Sequence, residues 1–207
     1  MADAIPEMVD LMFDLDGGTV PAAYPFLLWR EIVRLAPRLA EEHLVGVLPL
    51  RTSESREALL LPKRAKLVLR LPASLAGYAT EKLSGQKLDL SVNNKSSGGC
   101  TLTLGKSRLN QIQPYPTIHA GLVTGPEDEE IFTNNIRLKL GEMGIEGKLI
   151  CGKRRTLSND QQTIQGFSLV IHDLKPIASL KLLYAGLGDE RKFGCGIFVP
   201  HKTISGL

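Results

Sequence analysis

The sequence predicts an α+β protein of two successive strand-helix-strand-strand-helix-strand units, the second closing on a glycine-rich loop. Three observations carry this. Apolar residues alternate with period two at 9–15, 66–71 and 88–92. Helical spacing fills the gaps, with Phe26, Leu27, Trp29, Ile32, Val33 and Leu35 recurring up to Pro37. After the break at Pro114-Tyr115-Pro116 the same order of elements begins again.

In the first half, the strand at 9–15 stops at Asp16-Gly17-Gly18, a turn signal, and Pro21 suits the first turn of a helix. Residues 44–50 form a short apolar run, a second strand. Residues 66–71, Lys-Leu-Val-Leu-Arg-Leu, alternate basic and apolar side chains, as a strand with one wet face does. A helix over 73–83 ends near Gly85, and 88–92 alternates again as the fourth strand. This is the ferredoxin-like order. A polar turn cluster at 93–99 and a further strand at 101–109 lead out of it.

The second half opens with a strand at 117–123. Glu127-Asp128-Glu129-Glu130 heads a helix over 127–143, where acidic side chains complement the helix dipole and do not converge on a metal. Residues 147–151 and 166–172 read as paired strands around a polar loop, 178–184 as a short helix and 197–199 as a last strand. The expected domains are 1–110 and 111–207.

The 207 residues suffice for a buried core, and 43% hydrophobic content excludes extended disorder. No apolar run approaches the ~20 residues that cross a bilayer. Residues 1–16 carry acidic side chains and no Lys or Arg, unlike a signal peptide. Cys100, Cys151 and Cys195 include no Cys-x-x-Cys pair, which fits a reducing compartment. A cytoplasmic protein is expected. Net charge runs −5, +7, −4 and +5 over 1–61, 62–110, 111–146 and 147–207. Basic blocks brought together would form a face suited to phosphates.

The segment Gly186-Leu187-Gly188-Asp189-Glu190-Arg191-Lys192-Phe193-Gly194-Cys195-Gly196 is the strongest local signal. Its glycines (Gly186, Gly188, Gly194, Gly196) let the backbone come close to a ligand. Arg191 and Lys192 are placed to reach phosphates, and Phe193 to stack on a base. The segment is neither a Walker loop nor a Rossmann fingerprint. The competing reading is a glycine-rich hairpin with a solvated basic tip. Lys153-Arg154-Arg155, in the predicted loop, Lys63-Arg64 and Lys202 are further phosphate candidates. His43, His119, His172 and His201 show no metal-ligand spacing, and His119 and His172 read as packed strand residues. No metal or cofactor is expected.

The stretches Gly166-Phe167-Ser168-Leu169-Val170-Ile171-His172, Ala178-Ser179-Leu180, Gly186-Leu187-Gly188 and residues 194–202, Gly-Cys-Gly-Ile-Phe-Val-Pro-His-Lys, together resemble the CRISPR repeat-processing endoribonucleases, the Cas-six family, and its Myxococcus-type branch. Phe13-Asp14-Leu15, Val20-Pro21-Ala22 and Gly46-Val47-Leu48-Pro49-Leu50-Arg51 are similar too. The resemblance implies two tandem ferredoxin-like (RAMP/RRM-like) domains and a glycine-rich loop facing the repeat RNA stem-loop. It further implies metal-independent cleavage of a CRISPR precursor and retention on the crRNA 3′ end beside other Cascade-type subunits. It also implies a histidine near the start of the first helix and another within 46–51, where Tyr24 and Leu48 stand. Tyr24 and His43 are therefore the catalytic candidates. The alternative is a catalytically weak or inactive RNA-binding subunit.

Overall fold

The computed structural model describes residues 5–54, 59–91 and 100–201. The polar turn cluster at 93–99 and Lys202 lie outside the described residues. Along the chain run β1 (Met8–Asp16), β2 (Thr19–Val20), α1 (Tyr24–Leu35), β3 (Gly46–Val47), β4 (Ser53–Glu54), β5 (Leu59–Leu60), β6 (Lys66–Pro72), α2 (Ala76–Leu83), β7 (Lys87–Asp89) and β8 (Thr101–Gln111). Then follow β9 (Ile118–Thr124), α3 (Glu129–Glu142), β10 (Lys148–Ser158), β11 (Thr163–His172), α4 (Pro176–Ala185), a 3-10 turn (Arg191–Phe193) and β12 (Val199–Pro200). The chain divides into two compact units, Glu7–Gln111 and Ile112–Leu207 joined by Met1–Pro6. It is an α+β fold of antiparallel sheets and helices.

In the first unit the sheet order is β3-β6-β1-β8-β7. Alternation in β1 sends Val9, Leu11, Phe13 and Leu15 into the core and leaves Asp10, Asp14 and Asp16 on the other face. The register sets Leu11 opposite Leu69 and Phe13 opposite Leu67, so the buried faces coincide. Tyr24, Leu28 and Ile32 of α1 and Ala76, Ala79 and Leu83 of α2 cover that face. Each fully buried Leu or Phe contributes about 1.5–3 kcal/mol. On the opposite face Arg70, 1% exposed, grips Asp10 with two bonds, Nε to Oδ1 at 2.7 Å and Nη2 to Oδ2 at 2.9 Å.

Two expectations are corrected here. The strand beside β1 is the long β8, while the 88–92 strand survives as the short edge strand β7. The 44–50 strand shrinks to β3, its flanks leaving the ladder at Pro49. Proline lacks the N–H that the ladder needs.

In the second unit the order is β10-β11-β9-β12, antiparallel throughout. Ile118, Ala120, Val123, Phe167, Leu169 and Ile171 meet Phe132, Ile136 and Leu140 of α3 and Leu182 and Leu183 of α4. Phe132 and Phe167 pack with ring centroids 4.9 Å apart. Asp128 caps α3, its Oδ1 accepting from the Ile131 N–H at 2.9 Å, and Glu129 and Glu130 occupy the first turn. The acidic cluster is thus spent on the helix start. Strands β10 and β11 run much further than expected, and Lys153-Arg154-Arg155 lies on strand β10, not in a loop.

No helix among the described residues is long and apolar enough to cross a membrane.

Candidate nucleic-acid interface

The glycine-rich segment leaves α4 at Gly186 and folds against β9. The Gly196 N–H donates to the Leu122 carbonyl at 2.7 Å and the Asp189 N–H to Thr124 Oγ1 at 2.8 Å. Two glycines are obligatory for this. Gly188, at φ +75°, would set a Cβ 2.6 Å from Thr124 Oγ1, and Gly196, at φ +66°, would set one 2.0 Å from the Leu187 carbonyl oxygen. Their smallness lets the chain close on itself and on β9.

Arg191 does not sit where sequence spacing puts it. It is 7% exposed, and Nη1 donates to the Ala185 carbonyl, the last of α4, at 2.7 Å. A guanidinium there satisfies an orphan carbonyl and meets the negative end of the helix. Lys192 is half-exposed, 3.3 Å from Glu190 Oε2 and 5.1 Å above the Phe193 ring. Burial, followed by the Glu190 charge, pushes the Cys195 thiol up to about 12, so it is no nucleophile at neutral pH.

The β10–β11 hairpin offers a stronger basic surface. Lys153, Arg154 and Arg155 are exposed. Arg154 is partly committed, with Nη2 at 2.8 Å from Glu127 Oε1 and 3.1 Å from Gln165 Oε1. Asn159 accepts from the Gln161 and Gln162 N–H groups at 3.0 and 2.8 Å and stiffens the hairpin tip. Strands β9 to β12 contain no Asp or Glu. In the first unit Lys63 and Arg64 are exposed in the turn before β6, on a cleft of about 310 Å³ shared with Asp14, Asp16, Lys66 and Thr103. Lys66 bonds Asp14 and holds its carboxyl below the usual range.

Tyr24 starts α1, with Pro25 setting the first turn. Its ring is buried, and its hydroxyl accepts from the Leu50 N–H at 3.0 Å, tying the helix to the 46–51 segment. Burial raises its pKa, outweighing that bond. The phenol is held protonated. His43 is exposed after the turn that follows α1, with Nδ1 3.2 Å from Glu42 Oε1. No hydrogen bond or ring contact joins Tyr24 to His43 among the described residues.

One juxtaposition has no signal in the sequence. His119 of β9 and His201, just past β12, stand with ring centroids 5.6 Å apart, because the β9–β12 register sets Val199 opposite His119. Burial first, then His201 and Arg155, lower the pKa of His119.

The comparisons accord with this geometry. The family model described as Cas6 Crispr matches residues 9–203. The CRISPR-associated endonuclease Cas6 of Myxococcus xanthus (strain DK1622) is 31% identical over 194 residues, covering 93% of this chain and 81% of that protein. Among solved structures, a RAMP protein described as binding different RNA substrates superposes with a TM-score of 0.68 at 12% identity, over 92% of this chain and 98% of that one. Thermus thermophilus Cse3, bound to an RNA representing a pre-cleavage complex, gives 0.51 at 14% identity, over 93% and 98%. With the family model spanning nearly the whole chain and this relative matching over most of both sequences, the chain belongs to the Cas6 family of CRISPR-associated proteins.

Proposed function

We propose that the protein binds CRISPR repeat RNA and cleaves the precursor transcript, each unit serving as a ferredoxin-like domain. The observation that carries this reading, beyond family membership, is the exposed Lys153-Arg154-Arg155 run on a hairpin of a sheet without carboxylates. A stiff basic hairpin tracks a phosphate backbone and contributes affinity without reading bases. Lys63, Arg64, Lys192 and Lys202 extend the same role. The glycines 186, 188, 194 and 196 shape the loop that presents Lys192, and Arg191 braces it.

Cleavage without metal needs a base to take the 2′-hydroxyl proton, an acid to protonate the departing 5′-oxygen, and cations on the phosphorane. His43 is the catalytic candidate in the first unit, an exposed imidazole with Nδ1 beside Glu42 Oε1. Tyr24, the other candidate, acts as a protonated phenol that positions the 46–51 segment. The product stays on the protein as the 3′ end of a crRNA within a Cascade-type complex.

One observation favours a second reading, a weak or inactive RNA-capping subunit. The Tyr24 hydroxyl is buried and already engaged where the family resemblance implies an accessible histidine. Incubating the protein with repeat RNA in EDTA separates the two. Cleavage leaving a 2′,3′-cyclic phosphate is the expected result. Tight binding with intact RNA under every condition would leave only the capping role.

A further inference from the structure

The core-facing residues of β9, Ile118, Ala120 and Val123, are buried, so His119 lies on the sheet's other face. On that face the register draws one row across four strands: Ile150 opposite Val170, Val170 opposite His119, His119 opposite Val199. Ile150 is 52% exposed at the end of the row. The His201 N–H donates to the Thr117 carbonyl at 3.0 Å, which sets the second imidazole beside the first. Neither ring makes a hydrogen bond among the described residues.

The charged and titratable groups on this face are Lys148 and Arg155 of β10, His172 of β11, His119 and His201. At its rim stands Asp173, whose carboxylate is taken by Lys148 at 3.0 Å and His172 at 3.2 Å. Arg155 is paired with Gly166 in the ladder, on the side away from Arg154 and the helices, and close enough for its charge to act on His119. No strand of this sheet, β9 to β12, carries Asp or Glu.

We infer that this sheet face is a second RNA-contact site, at which His119 and His201 hold a backbone phosphate of single-stranded RNA, Arg155 adds positive charge further along the strands, and the Ile150–Val170 shoulder supports a neighbouring base. The site rests on the RNA-binding reading above but uses none of the residues that carry it apart from Arg155. The chemistry is complementary. A phosphate between the two rings accepts an N–H from each imidazole, and the apolar shoulder offers a flat surface to a base.

Proton linkage follows with a definite sign. In the free protein His119 is held toward its neutral form, whereas a bound phosphate favours the charged form. Binding therefore takes up protons, so affinity rises as pH falls through the imidazole range and the gain disappears as pH rises above it.

The test is anisotropy of a short labelled uridine oligonucleotide on the full chain at pH 6 and pH 8, for wild type, His119→Gln and His201→Gln. Circular dichroism and Tm check that each variant folds. Wild type binds about tenfold tighter at pH 6, the equivalent of roughly one pKa unit of linkage. His119→Gln loses most of that gain, and His201→Gln and Arg155→Ala weaken binding at both pH values. A wild-type gain that persists in His119→Gln, or no uridine binding alongside tight repeat-RNA binding, overturns the site alone. Failure of wild type to bind repeat RNA at either pH overturns the proposed function itself.

Discussion

Tyr24 shows how one side chain can be placed by packing and still bear on function. Its ring covers β1 as part of the first core, and its hydroxyl holds the Leu50 N–H, buried behind α1. Tyr24→Phe leaves that N–H unsatisfied and costs about 1–3 kcal/mol in denaturant unfolding, with RNA affinity unchanged. His43→Ala has the opposite profile: stability unchanged, cleavage slower by about 10²–10⁴-fold in single-turnover assays. Full cleavage by that variant would remove His43 from the mechanism. In the glycine-rich loop the two adjacent cations also part company. Arg191→Ala destabilises by roughly 1.5–3 kcal/mol, since a charged donor is lost from a buried carbonyl. Lys192→Ala leaves Tm in place and weakens RNA binding. Equal effects of both changes on binding would show that Arg191 reaches the ligand after all.

Among the elements, β10 departs furthest from what periodicity predicts. Its core-facing positions 149 and 151, and Leu157 further on, are half-buried and the rest of the strand is exposed, so no apolar alternation marks it past Cys151. A bulge between Cys151 and Arg154 shifts the register there, sending Arg154 toward Glu127 and leaving Arg155 on the open face. Because Arg154 is already paired, Lys153 and Arg155 carry more of the phosphate contact. The triple Lys153→Ala, Arg154→Ala, Arg155→Ala variant reduces the slope of log affinity against log salt by about 2, at ~0.7 per single-strand phosphate contact. An unchanged slope would place the backbone contact elsewhere.

Across the molecule, the same spatial order appears in both units: the second, third, first and fourth strands lie side by side, with β7 added at one edge of the first. The first unit's central strand carries Asp10, Asp14 and Asp16 on its outer face, the second unit's sheet no carboxylate at all. The first unit's sheet therefore mixes these carboxylates with Lys66, Arg70, Lys106 and Arg108, whereas the second unit's sheet carries cations without carboxylates. This contrast predicts that charge-reversal of Asp16 to Lys changes RNA affinity far less than reversal of Arg155 to Glu, measured on the full chain at one salt concentration.

Most of the element order, the alternating faces of β1 and β6, and the acidic start of α3 were legible in the sequence, because local period and charge near a helix start encode them within a few residues. The family was legible too, in the glycine-rich C-terminal motif. Tertiary structure alone decided how those residues are used. Residue spacing puts two cations at the tip of a glycine-rich loop; the close approach of Gly196 to Leu187 and the open carbonyl of Ala185 turn Arg191 inward. Residue spacing leaves His119 and His201 as unrelated side chains; the β9–β12 register makes them neighbours. Strand pairing over long sequence distance and the satisfaction of a buried carbonyl are properties of the folded chain, and periodicity carries no record of either.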